Sequence, residues 1–197
     1  MVDSSYNLNN HADMAEKIAT ISNIPIYKID STYVVILCAK TLHIPNIGTS
    51  IAKFRELYPT VMIQGINPSH VFGKEHIFEV LKIILEANKR KIKVAKRLEM
   101  ELLLRLICSN QVDKAINIGG IKNNSFGCFV LLSDTKYQLI KSVRYLRKTL
   151  ADQNDSLLNA TREKMVNICR RMQFTNTNSS TKEFLKILTE KAALVSQ

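Results

Sequence analysis

Tryptophan is absent and aromatic residues make up only 7% of the chain, so the aromatic platforms on which RNA-recognition modules stack bases are not evident. No Cys-x-x-Cys pair occurs among Cys38, Cys108, Cys128 and Cys169, which excludes a zinc ribbon. The four cysteines lie far apart among apolar neighbours. A chain of 197 residues can build a core without cross-links, so four free buried thiols in a reducing cytosol are expected. No stretch approaches the ~20 continuous apolar residues of a membrane-spanning helix. The polar, Asn-rich N-terminus resembles neither a signal peptide nor a transit peptide. A cytoplasmic protein is the expectation.

Catalytic motifs are missing as well. The four histidines, His11, His43, His70 and His76, form no HxH, HExxH or HxxEH arrangement. There is no GxxxxGK[ST], no GxGxxG after a strand, no GxSxG and no DxD pair. Glu99 and Glu101 cannot act as a carboxylate pair, because residues two apart on a helix point about 200° apart. His76 lies close to Glu75 and Glu79, but a histidine hydrogen-bonded within the fold explains it better than acid–base work. No catalytic residue, metal, cofactor or small-molecule substrate is expected.

What the chain does have is localised positive charge. Lys89, Arg90, Lys91, Lys93, Lys96 and Arg97 fall within nine acid-free residues. A second acid-free run holds Lys136, Lys141, Arg144, Arg147 and Lys148. Together they carry the whole formal excess of +11, which points to a polyanionic partner bound with salt-sensitive affinity. The plain alternative is a solvated basic face.

Hydrophobic periodicity predicts a single α/β domain over residues 12–197, behind a disordered extension at 1–11. A helix is expected at 12–22, then strands at IPIYKI and YVVILCA joined at Asp30-Ser31, a short helix at Gly48–Leu57 and a strand at TVMIQ. Largely buried helices follow at Lys74–Lys91 and Leu98–Cys108. Ser109-Asn110 is expected to cap a short third helix, and Gly119-Gly120-Ile121 to close it as a glycine C-cap. FGCFVLL reads as a buried strand, Tyr137–Leu150 as a basic amphipathic helix, ADQNDS as a loop and Leu157–Met172 as a helix. A linker at 173–180 ends in a capping box, Ser180-x-x-Glu183, that opens the last helix. The consecutive short strands favour a mixed, mostly antiparallel sheet packed by several helices.

The segment from Val71 to Leu132 carries a resemblance. His76-Ile77 opens a helix; after a basic turn come Glu101-Leu102-Leu103, then Gln111-Val112-x-x-Ala115, then Gly120-Ile121 and a strand at once. In this order the pieces resemble the small PRPK-binding subunit of the KEOPS/EKC tRNA-modification complex, in its archaeal form. The C-terminal TEKAALV is similar to that family's final helix. One departure is Asn110, where many archaeal members have arginine.

The resemblance implies a non-catalytic accessory subunit of a complex that makes threonylcarbamoyl-adenosine in tRNA. It implies docking on the complex's atypical kinase/ATPase and a grip on the 3′ CCA end of tRNA. Arg105, Asn110, Gln111, Gly120, Ile121 and Lys122 are the candidate grip, with Lys89, Arg90, Lys91, Lys93, Lys96 and Arg97 steering the acceptor stem. Leu185 and Leu188 are the candidate kinase contacts. Two other readings compete: a protein–protein adaptor of the kinase with no direct RNA contact, and, least supported, an enzyme acting on phosphorylated small molecules.

Overall fold

The computed structural model describes residues 15–21, 23–42, 44, 46–123, 125–174 and 179–195. The extension expected to be disordered, residues 1–11, lies outside them, as do His11 and His43. Among the described residues six strands form one sheet: β1 (Glu16–Ile21), β2 (Ile24–Ile29), β3 (Thr32–Thr41), β4 (Met62–Ile66), β5 (Gly127–Ser133) and β6 (Ala151–Gln153). Their order is β1-β2-β3-β5-β4, and β6 pairs with the far end of β3 beyond the reach of β2. Every pairing among the described residues is antiparallel, so the sheet expected to be mixed and mostly antiparallel is antiparallel throughout them. The β2–β3 hairpin closes at Asp30, whose φ of 51° suits the left-handed region that Asp tolerates.

Strand side chains alternate between faces. Val34, Ile36 and Cys38 of β3, with Cys128, Val130 and Leu132 of β5, face one side. Val35, Leu37, Phe129 and Leu131 face the other. The first face is covered by α2 (Gly73–Lys89), α3 (Leu98–Ile107) and α4 (Val112–Gly119), the second by α1 (Ile47–Leu57) and α5 (Lys136–Arg147). A sheet buried on both sides explains why the central strands read as continuous apolar runs. The last two helices, α6 (Arg162–Met172) and α7 (Thr181–Ala193), enclose a satellite core around Phe72, whose ring meets Phe184 edge-on at 4.8 Å. Through α7 this unit also packs against α2 and α3. The capping box at Ser180 and Glu183 is formed.

Several local expectations are overturned. The helix expected at 12–22 is strand β1 over its described part, because pairing with β2 (Lys17 opposite Tyr27, Ala19 opposite Ile26) outweighs the helical spacing of its apolar residues. The loop expected at ADQNDS holds β6 and the start of a 3₁₀ turn, Asp155–Leu158; helix begins only at Arg162, capped by Thr161. Gln111, not Ser109 or Asn110, is the N-cap of α4; the Ser109 hydroxyl instead accepts the Gln111 N–H at 3.2 Å.

Gly120 has φ −74° and ψ 153°, so it is no left-handed C-cap. Its neighbour Gly119 serves close packing: a Cβ there would lie 2.5 Å from Ile107 Cγ1. Finally, Cys38 and Cys128 are not free. The β3–β5 register sets them opposite each other, Cα atoms 4.0 Å apart, in a disulfide in which Cys108 and Cys169 take no part. That pairing removes the cysteine argument for a reducing compartment.

Candidate nucleic-acid interface

The first basic run forms the α2–α3 connection, and most of it is exposed. It is less free than its sequence suggests. Lys89 pairs with Asp30 at 2.6 Å and Arg90 with Glu86 at 2.6 Å, while Lys93 donates to the Lys96 carbonyl. The Asp30 partner is 59 residues away in sequence, so the run is acid-free in the chain but not in the fold. Lys91, Lys96 and Arg97 are exposed and make no ion pair among the described residues. The second run lies on α5, against the opposite face of the sheet, with Lys141 over the Tyr137 ring at 5.1 Å.

Arg105 does not belong to any RNA-gripping surface. Its side chain is 5% exposed, paired with buried Glu101 at 2.8 Å, and it donates to the Ala192 carbonyl at 2.7 Å. Glu101 in turn accepts the Ala95 N–H at 2.7 Å. Arg105 therefore ties α3 to the end of α7, and the expectation is corrected. Ile121 is likewise occupied in packing: it fills the space over Gly65 and Gly127, where added Cβ atoms would lie 2.7 and 2.8 Å from its Cδ1. At Gly120 a Cβ would meet the Ile116 carbonyl oxygen at 2.5 Å, which accounts for that glycine without a ligand.

Asn110, Gln111 and Lys122 are exposed. Asn110 and Gln111 line a cleft of about 580 Å³ where the α3–α4 junction meets the ends of α6 and α7. Lys114 of α4, Lys191 of α7 and Arg171 of α6 bring positive charge to it. Phe174, Leu194 and Ile118 supply apolar wall, and Lys191 stands 5.7 Å from the centre of the Phe174 ring. Among the described residues no acidic side chain lines it. The basic α2–α3 connection is at the other end of α3, about 15 Å away for ten residues of helix. So the fold separates the expected steering lysines from the expected grip.

Sequence reading missed Arg171, Lys114 and Lys191. The available signal for Arg171 was a charge one turn from Ile168, on the apolar stripe of α6 that carries Met165, Ile168 and Cys169. Burial and the Arg171 charge push the His76 pKa down to about 3, and burial, Arg171 and Lys122 lower that of His70. His76 is fully buried and its Nδ1 accepts the Phe72 N–H, as expected of a histidine bonded within the fold. Among the described residues no group of three His, Cys, Asp or Glu side chains is placed to hold a metal ion, and no helix is long and apolar enough to cross a membrane.

Of the expected kinase contacts, Leu188 is completely buried with Phe72, Ile168 and Phe184. It is a core residue, and the docking expectation for it is corrected. Leu185 is half-buried on α7. Val112 and Ile116, one turn apart on α4, are an exposed apolar pair at this end of the molecule. Compared with models of known protein families and with curated proteins, the sequence matches none.

Proposed function

We propose that this chain is a non-catalytic accessory subunit of the KEOPS tRNA-modification complex. In this reading it acts in the cytoplasm, docks on the complex's atypical kinase/ATPase and holds the 3′ CCA end of tRNA to recruit substrate. The observation that carries the reading is the cleft at the α3–α4 junction, which combines three cations with an apolar wall and has no acid among its described lining residues. A single-stranded RNA end asks for that combination, cations for its phosphates and apolar or aromatic surface for unstacked bases. Asn110 and Gln111, singled out from the order of motifs, line this cleft. Exposed Lys91, Lys96 and Arg97 contribute steering from the far end of α3, through charge alone.

The test is binding of the full chain to labelled tRNA with and without its CCA end, across a salt series. Loss of most affinity on trimming supports the end-gripping role. Equal, steeply salt-dependent binding to both forms leaves only diffuse charge and rejects it. A second reading, an adaptor of the kinase with no RNA contact, draws on exposed Val112 and Ile116, an apolar pair suited to a protein surface. No tRNA binding, together with loss of kinase capture by Ile116→Asp, would select it.

A further inference from the structure

Arg171 carries a guanidinium that the fold removes from water without giving it a partner. Its Nε, Nη1 and Nη2 are all buried and make no hydrogen bond, although an arginine has five N–H donors and keeps its proton in proteins. No carboxylate pairs with it among the described residues. Burial lowers its pKa, and the Cys108 thiol is the other group that acts on it. A buried charge without a counter-ion is costly, and its surroundings add to the imbalance.

Besides burial, the Arg171 charge lowers the pKa of His70 and His76, and the Lys122 charge lowers that of His70. Because His76 Nδ1 accepts the Phe72 N–H, the neutral ring carries its proton on Nε2, which is also buried without a partner. Lys114 and Lys191 line the Arg171 cleft from its exposed side. Donors and cations accumulate around Arg171, and no carboxylate lines its cleft among the described residues. The chemical complement is an anion with several oxygens, and the planar guanidinium fork matches a phosphate.

We propose that Arg171 is the centre of a phosphate-binding seat, flanked by Lys114 and Lys191, that takes one phosphate group from a polynucleotide backbone or from a free phosphate. The seat does not depend on the RNA reading above; its occupation by RNA does.

The experiment is thermal unfolding of the full chain with inorganic phosphate titrated against sodium chloride at matched ionic strength. Wild type, Arg171→Met and Lys191→Gln are compared. Binding to the native state raises Tm by mass action, so phosphate stabilises wild type, stabilises Lys191→Gln less and leaves Arg171→Met unchanged. In chloride alone Arg171→Met is at least as stable as wild type, since it replaces an unpaired buried charge with an apolar chain. A wild type indifferent to phosphate, or an Arg171→Met that responds like wild type, overturns the seat. If Arg171→Met does not fold, the decision passes to exposed Lys191, and an undiminished response in Lys191→Gln overturns it.

The source is then read with tRNA. An affinity loss of about tenfold in Arg171→Met for intact but not CCA-trimmed tRNA, with competition by inorganic phosphate, assigns the seat to RNA. Unchanged tRNA affinity beside an abolished phosphate response assigns it to a free phosphate and rejects the RNA reading of this cleft.

Discussion

Arg105 and Glu101 form a buried ion pair one turn apart on α3, with 2.8 Å between Nε and Oε1. The pair is the hub of a small network: Arg105 reaches the Ala192 carbonyl and Glu101 the Ala95 amide. Removing one partner strands the other charge in the core. Arg105→Met is therefore expected to cost about 3–5 kcal/mol in urea unfolding, and adding Glu101→Leu to recover part of it. Affinity of the folded protein for tRNA stays near wild type. A variant of unchanged stability that loses tRNA would return Arg105 to the interface.

Leu188 gives a second test of core against surface. Its side chain is completely buried between α6 and Phe72, so Leu188→Ala should cost about 2–5 kcal/mol. Leu188→Asp should fail to fold by circular dichroism. A folded Leu188→Asp protein that loses only kinase binding would contradict the burial.

The pH dependence of stability follows from His76. Unfolded, it titrates near 6.5; folded, burial holds it down to about 3. Between those values the unfolded chain binds a proton that the native state refuses. The contribution to stability is whole above pH 6.5 and falls by about 1.4 kcal/mol per pH unit as pH drops toward 3. His70, lowered in the same direction, adds to the slope. His76→Asn keeps an acceptor for the Phe72 N–H and removes the titration. Its urea-unfolding free energy should change less between pH 7 and pH 5.5 than that of wild type, and an identical slope would show that His76 is not held neutral.

The exposed basic residues before α3 should behave as diffuse charge. Neutralising Lys91, Lys96 and Arg97 together is expected to weaken intact and CCA-trimmed tRNA alike. It should also lower the salt slope by about 0.9 for each phosphate no longer neutralised. A loss confined to intact tRNA would place them in the grip after all.

Much of the architecture was legible because it depends on local pattern. The apolar faces of α2 and α3, the Asp30 hairpin and the Ser180 capping box follow from spacing and side-chain chemistry within a few residues. β1 was misread because Ile18 and Ile21 satisfy helical spacing, while the pairing with β2 that decides the matter is tertiary. The glycines after Ile118 were recognisable as structural, but their reason, contact with Ile107 and the Ile116 carbonyl, appears only in the packed chain.

The sequence by itself determined the α/β pattern of strands and packing helices and where positive charge is concentrated along the chain; the resemblance added the end of α3 as a candidate site. Tertiary structure decided which charges are available. Arg170 and Arg171 are adjacent and chemically identical, yet one is exposed and the other has every guanidinium nitrogen buried. Arg105 likewise meets a carbonyl 87 residues away. Whether a charge is solvated, paired or left seeking a partner depends on what long-range packing brings beside it. Local spacing does not encode that.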